Sequence, residues 1–247
     1  MIDIKMRQEF VDCTIDELPL RIVQSNWNAH STTADNLVLL KDYSVLSRQM
    51  DLLTQIKPKT LLEFGIFEGG SALLWSRLLD ARYCGVDLRA KNPIIDQWIE
   101  RFASHEKINL NFDVSQSDEA AVTPIVRNWL GGDSLDMVID DASHHYEHSK
   151  RTFEIAFPML RPGGVYLLED WSWAHAPYFQ DGVVWGEFTA LSNLVFDLTA
   201  LLGSRPDLVD RIEIFSNYAL IHKSMNECPK LILDDVILKR GRELTKI

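Results

Sequence analysis

From Thr60 onward, short β-rich apolar runs alternate with helical patterns, and no other feature constrains the fold as much. "TLLEF" (60–64), "RYCGVDL" (82–88), "KINLNFDV" (107–114), "LDMVIDD" (135–141) and "GVYLLED" (164–170) are rich in branched and aromatic residues and read as strands. Between them, "GGSALLWSRLLD", "PIIDQWIERFAS", "DEAAVTPIVRNWL" and "YEHSKRTFEIAFPML" repeat apolar residues with the helical period. Such alternation requires right-handed crossovers, which build a mainly parallel sheet covered on both faces. Pro162, Gly163 and Gly164 are expected to end the fourth helix and turn the chain into the next strand. "RIEIFSN" and "YALIHKS" lie too close together for a crossover helix and predict an antiparallel hairpin closing the sheet edge. The expectation is a doubly wound, Rossmann-like α/β fold with seven strands.

Residues 1–58 do not follow this alternation. "LKDYSVLSRQMDLLTQI" (40–56) has the pattern of an amphipathic helix leading into the first strand. The segment reads as a helical extension or cap, a lid or a dimerisation arm, with the main domain at 59–247. With 247 residues, 46% of them hydrophobic, the chain can bury a full core. No apolar stretch reaches the roughly 18 residues of a membrane span. "MIDIKMRQEFVDC" lacks the apolar segment of a signal peptide. Cys13, Cys84 and Cys228 are too scattered for a disulfide framework or a zinc site, so reduced, buried thiols in a cytoplasmic protein are expected. A net charge of −11 without a basic run argues against nucleic acid and favours a small-molecule substrate.

The first strand runs into "EFGIFEGGSALLW" (63–75), a glycine-rich turn opening a helix. Gly65 permits a sharp turn and close approach of a ligand, and Ser71 offers a hydroxyl at the helix start. Asp87, 22 residues beyond Gly65, stands where an acid accepts both ribose hydroxyls of a nucleotide cofactor. Phe67 replaces the second glycine of a dinucleotide fingerprint. Glu63 would repel a pyrophosphate but attract the ammonium of a methionine moiety, which favours S-adenosylmethionine over NAD. A glycine-rich turn with no ligand is the bland alternative.

Asp140 and Asp141 end the fourth strand, and Glu169 and Asp170 end the fifth. Carboxyl ends of neighbouring strands converge in such sheets, and four close carboxylates repel unless a cation intervenes or some stay protonated. Hard oxygen ligands suit Mg²⁺. The residues alone leave a metal site and a metal-free arrangement both open.

Taken together, "LLEFGIFEGGSALLW", "SQSD" (115–118) and "IDDASHHYEHSKRTFEIAFPMLRPGGVYLLEDW" resemble the metal-dependent sugar O-methyltransferases of the macrocin and mycinamicin type, relatives of the cephalosporin-hydroxylase-like proteins. The resemblance covers about residues 60–175, and Ala142 replaces the glycine of the usual D-D-G-S-H phrase. It implies a class I S-adenosylmethionine-dependent methyltransferase fold, with Asp141, Glu169 and Asp170 as Mg²⁺ ligands and His144 as general base. It places Glu63, Gly65, Ser71 and Asp87 on S-adenosylmethionine, with Asp140 nearer the cofactor and Gln116, Ser117 and Asp118 as weaker contacts.

The chemistry suits those roles. A sugar hydroxyl is a poor nucleophile, so the enzyme must activate it and align it with the methyl group of a sulfonium that is already a good leaving group. A bound Mg²⁺ lowers the hydroxyl pKa, and an imidazole takes the proton near neutrality. His145 and His148 read better as packing or solvent-facing histidines. Trp171, Trp173, His175, Tyr178, Phe179 and Trp185 follow the fifth strand and serve either to stack on a sugar or aglycone or as core and subunit contacts. The expected function is Mg²⁺-dependent O-methylation of a sugar-bearing natural product or glycan by a homo-oligomer. A catechol or other vicinal diol as acceptor, or a non-catalytic cofactor-binding assembly partner, are the alternatives.

Overall fold

The computed structural model describes residues 4–6 and 9–247, with side chains from residue 9 onward. The reading of the N-terminal stretch against a leader peptide rests partly on residues 1–3, 7 and 8, which lie outside the described residues. Two compact units divide the chain, residues 1–114 and 115–247.

The first unit opens with a sheet in the order β1 (Ile4–Met6), β2 (Phe10–Ile15), β3 (Leu18–Val23) and β4 (Leu37–Leu40). Only the β3–β4 pairing is parallel. This corrects the expectation of a helical extension, because strands precede the one long helix. Val11, Cys13 and Ile15 are buried in alternation, as are Leu18, Leu20 and Ile22, so one face of the hairpin enters the core. Asp16 and Glu17 form its two-residue turn, both at positive φ (47° and 67°). Asn-Gly or Asp-Gly is the usual signal there, and Asp-Glu hid the hairpin. Arg77 anchors the turn through Nη2 to the Asp16 carbonyl at 2.9 Å.

Helix α1 (Tyr43–Ile56) follows, within the predicted span, capped by Asp42, which accepts from Ser44 N–H at 2.7 Å. Then come β5 (Thr60–Phe64), α2 (Gly70–Leu79), β6 (Arg82–Val86), α3 (Ile94–Phe102) and β7 (Ile108–Asn111). The β5–β6 and β6–β7 pairings are parallel. Every residue of β5 is buried, as expected of a parallel strand covered on both faces.

The second unit contains α4 (Glu119–Leu130), β8 (Leu135–Asp140), α5 (Tyr146–Ala156), β9 (Leu160–Glu169), α6 (Ser192–Ser204), β10 (Val209–Ile214), β11 (Tyr218–Lys223) and a short α7 (Leu233–Val236). β8 and β9 are parallel, while β11 pairs antiparallel with both β9 and β10. The large sheet has seven strands in the order β10-β11-β9-β8-β5-β6-β7. Its mainly parallel, Rossmann-like architecture with a C-terminal hairpin at one edge is the expected one.

One local expectation fails at Pro162-Gly163-Gly164. Helix α5 has already ended at Ala156, a 3-10 turn covers Phe157–Met159, and β9 starts at Leu160. The register against β8 shifts between Leu135 and Met137, absorbing the Pro-Gly-Gly within the strand. Lys223, itself buried, donates to the Pro158 carbonyl at 3.2 Å and braces the turn. Cys13, Cys84 and Cys228 are free and buried, as predicted. Among the described residues, no helix is long and apolar enough to cross a membrane.

Candidate active site

In the first unit, the glycine-rich loop joins β5 to α2. Gly65 turns at φ 84°, and its N–H donates to the Val86 carbonyl at 2.9 Å. Asp87, expected to hold ribose hydroxyls, also ties down this loop. Its Oδ2 accepts from Ile66 N–H at 2.9 Å and Phe67 N–H at 2.7 Å, and its Oδ1 from Arg89 N–H at 2.8 Å. Phe67 adopts φ 52°, a conformation that needs such support. A carboxylate offers about four lone-pair sites, so these bonds leave acceptor capacity for a ligand.

Gly70 has a structural reason of its own. A Cβ there would lie 2.1 Å from the Val38 carbonyl oxygen of β4. Glycine is required because the start of α2 packs on the N-terminal sheet. Glu63 is fully buried and accepts the Tyr83 hydroxyl. Burial first, then the Glu63 charge, drive the Tyr83 pKa well above its ordinary value, so the phenol stays protonated. Ser71 lies buried in the first turn of α2.

Glu68 was missed by sequence reasoning. It accepts from Ser31 Oγ at 2.7 Å, from Thr32 N–H, and from Asn92 Nδ2 at 3.3 Å. Trp27 meets the Phe67 ring edge-on at 6.4 Å, and the Arg89 guanidinium lies 4.6 Å over that ring. These contacts fasten residues 27–32 to the loop. Those from Trp27, Ser31 and Thr32 join positions 36 or more apart, which no local pattern reveals.

In the second unit, β8 ends at Asp140, which is only 1% exposed. Its carboxylate accepts from Tyr166 Oη at 3.0 Å and from Gln116 Nε2 at 3.3 Å, and burial pushes its pKa up to about 6. Gln116 also donates to Thr152 Oγ1 at 2.7 Å and accepts from Ser143 N–H at 3.0 Å. The structure thus places the Gln116 side chain as an internal brace. Ser117 Oγ lies 3.3 Å from His148 Nδ1, and Asp118 caps α4 by accepting from Ala120 N–H at 3.0 Å.

Past Asp140 the chain makes a short turn into α5, and this turn gathers the chemistry. Asp141, His144 and Asp170 each offer one ligand atom, all within 4.8 Å of one another. His144 Nε2 stands 3.8 Å from Asp141 Oδ1 and 3.9 Å from Asp170 Oδ2. His144 and Asp170 both adopt left-handed backbone, at φ 55° and 50°, the strained geometry often found at functional sites. Glu169 is not in this three-residue group. It ends β9 with 3% exposure, whereas the Asp170 side chain, one residue on, is 48% exposed.

Trp173 Nε1 donates to the His144 carbonyl at 2.8 Å. His145 stacks on Phe188 at 4.1 Å, and burial draws its pKa down, as suits a packing histidine. Trp171 donates to the Phe215 carbonyl at 2.8 Å, while Trp173, Phe179 and Trp185 form an aromatic cluster with centroids 5.1–5.6 Å apart.

Two carboxylates this close fit a hard divalent cation with the imidazole beside it, and so few protein ligands would leave positions for water or substrate oxygens. The same group could instead hold and deprotonate a hydroxyl.

Residues 62–171 match the Methyltransf_24 family, a methyltransferase domain. The chain is 28% identical over 188 residues to demethylmacrocin O-methyltransferase of Streptomyces fradiae, covering 67% of this chain and 44% of that protein. It is 26% identical over 174 residues to mycinamicin VI 2''-O-methyltransferase of Micromonospora griseorubida, covering 64% and 40%. Among solved structures, the MycE methyltransferase from the mycinamycin biosynthetic pathway, in complex with Mg, SAH and mycinamycin VI, superimposes with a TM-score of 0.54 at 24% identity. That match covers 72% of this chain and 49% of MycE. The chain therefore spans less than half the length of the two named relatives. The motif-level resemblance to this class I S-adenosylmethionine-dependent methyltransferase type is borne out, as is the fold.

Proposed function

We propose that this chain is an S-adenosylmethionine- and Mg²⁺-dependent O-methyltransferase acting on a hydroxyl of a glycosylated small molecule, with the catalytic domain at 59–247. The observation that carries the reading is the Asp141–His144–Asp170 group, which follows β8 and β9 in a methyltransferase fold. The relatives' names support it, since they describe O-methyltransferases and, for MycE, a complex with Mg and SAH.

In this reading Glu63 attracts the ammonium of the donor and Asp87 receives its ribose hydroxyls beside the loop amides it already holds. Gly65 lets the donor approach the backbone, and Ser71 lies in the helix turn that follows. Asp141 and Asp170 supply the negative charge that holds a divalent cation, with Glu169 as a further ligand. Mg²⁺ there would lower the pKa of an acceptor hydroxyl. His144 Nε2 stands 3.8 and 3.9 Å from the two carboxylates, beyond hydrogen-bond distance, and takes the acceptor proton in this reading. The oxygen then attacks the donor methyl in line, and the sulfonium leaves as a neutral thioether. Asp140 stays out of this chemistry as a buried support, braced by Gln116, and Ser117 is the weaker candidate for a cofactor contact.

Protection from thermal unfolding by S-adenosylhomocysteine, but not by NAD(H), tests the donor, and loss of turnover on chelation tests the cation. Protection by NAD(H) alone would replace the reading with an oxidoreductase. A vicinal diol such as a catechol suits the same open ligand set, and a screen of acceptors with a labelled methyl donor separates the two. The absence of transfer to any acceptor would favour an assembly partner. The cytoplasm and a homo-oligomeric state complete the proposal.

A further inference from the structure

The turn that carries His144 is held on two sides. Gln116 Oε1 accepts the Ser143 N–H at 3.0 Å, and Trp173 Nε1 donates to the His144 carbonyl at 2.8 Å. These bonds hold the Ala142–Ser143 peptide and the His144–His145 peptide, which bracket the turn at Ser143 and His144. Between them the His144 backbone holds the φ of 55° that sets its side chain among the carboxylates. A non-glycine residue relaxes out of left-handed backbone unless neighbours over-determine it.

The two supports differ in kind. Gln116 is buried and locked to Asp140 and Thr152. Trp173 begins a segment, residues 173–188, that ends in exposed aromatics, with Tyr178 69% and Phe188 43% accessible. Its ring meets Phe179 at 5.2 Å and Trp185 at 5.1 Å, and Phe188 returns to stack on His145. The segment therefore touches the turn at consecutive residues, through a hydrogen bond to His144 and a ring stack on His145.

We infer that Trp173 is a positioning residue, whose indole N–H holds the turn so that Asp141 keeps the geometry that binds a cation, with His144 beside it. The arrangement of the 173–188 segment is thereby transmitted to the Asp141–His144–Asp170 group. The inference rests on the methyltransferase reading for what the cation does, and not for whether the turn holds one.

The test measures Mn²⁺ affinity by water-proton relaxation, with thermal midpoint and S-adenosylhomocysteine protection recorded alongside. Trp173→Phe keeps an aromatic ring and removes the donor. Gln180→Ala is the control, because Gln180 belongs to the same segment but donates to Ala174 and Ala176 carbonyls and not to the turn. The expected result is Mn²⁺ binding about fivefold weaker in W173F, the equivalent of one neutral hydrogen bond. Q180A should match the wild type, and S-adenosylhomocysteine protection should be unchanged in both. Should W173F fail to fold, replacing the indole by benzothiophene removes the N–H in the same shape. Wild-type Mn²⁺ affinity in the donor-less variant overturns the inference and leaves the methyltransferase reading intact. Equal weakening in W173F and Q180A overturns it as well, since a loosened segment then suffices. If the wild type binds no Mn²⁺, the cation site itself falls.

Discussion

Phe67 donates its backbone N–H to Asp87 Oδ2 at 2.7 Å, so the acid at the end of β6 holds the conformation of the loop after β5. With Ile66 and Arg89 it receives three backbone bonds. Asp87 thereby shapes the loop it is proposed to share with a ligand.

Asp87→Ala should therefore do more than delete a ribose contact. Loss of hydrogen bonds to a charged acceptor predicts destabilisation of roughly 2–3 kcal/mol. Affinity for S-adenosylhomocysteine should fall at least about tenfold. Denaturant titration and calorimetry measure the two, and a variant with lost affinity but wild-type stability would assign Asp87 to the ligand alone.

Asp141→Ala and His144→Ala should fail differently. The first should abolish divalent-cation dependence together with turnover, while cofactor protection persists. The second should keep cofactor binding and lose about 10²–10⁴ in transfer, the usual contribution of a general base. Raising the pH should partly restore H144A, because hydroxide replaces the base, and should leave D141A inactive. Normal turnover in H144A would pass the proton to another acceptor.

Asp140 predicts a pH-dependent stability. Its folded pKa of about 6 lies above the ordinary carboxylate value of 3.8, so the fold prefers it protonated. That preference stabilises fully below the unfolded value and is lost as pH rises through 6. Asp140→Asn cannot ionise, so in chelator its stability relative to wild type should improve by roughly 2–3 kcal/mol between pH 4 and pH 7. A difference independent of pH would mean the carboxylate is charged throughout.

The thiols should be inert in the folded protein. Burial pushes Cys13 up to about 11 and Cys84 up to about 12, and it raises Cys228 as well. Alkylation at pH 8 should then follow global unfolding, with three thiols reacting together in denaturant. Fast labelling of one in native buffer would reveal a local opening.

The period of the hydrophobic pattern made the core of the fold legible, and β5 falls on residues 60–64 as read from "TLLEF". The β2–β3 hairpin was not, since its turn is built from Asp16 and Glu17, side chains that seldom adopt positive φ. At the candidate site, motif spacing led to Asp141 and His144, and Asp170 joined them in space. Sequence could not rank Glu169 against Asp170, because chemically equivalent neighbours part company only when the chain leaves the strand and one stays buried. Glu68 and the side chain of Gln116 were illegible for another reason. Their roles are set by partners 24 to 37 positions away or by burial, and a linear reading registers neither.

Gly70, seated against the Val38 carbonyl, ties the start of α2 to β4, so a donor held at the loop before α2 would depend on the N-terminal sheet as well. A shortened chain starting at residue 59 would leave the opening turn of α2 without the wall it was shaped to meet. The loop that Asp87 restrains would then hang from one side. Grafting this domain onto another scaffold would thus require carrying its N-terminal sheet along, and a chimera that exchanged the sheet for a relative's would have to keep the backbone at Val38 or open space for α2 elsewhere.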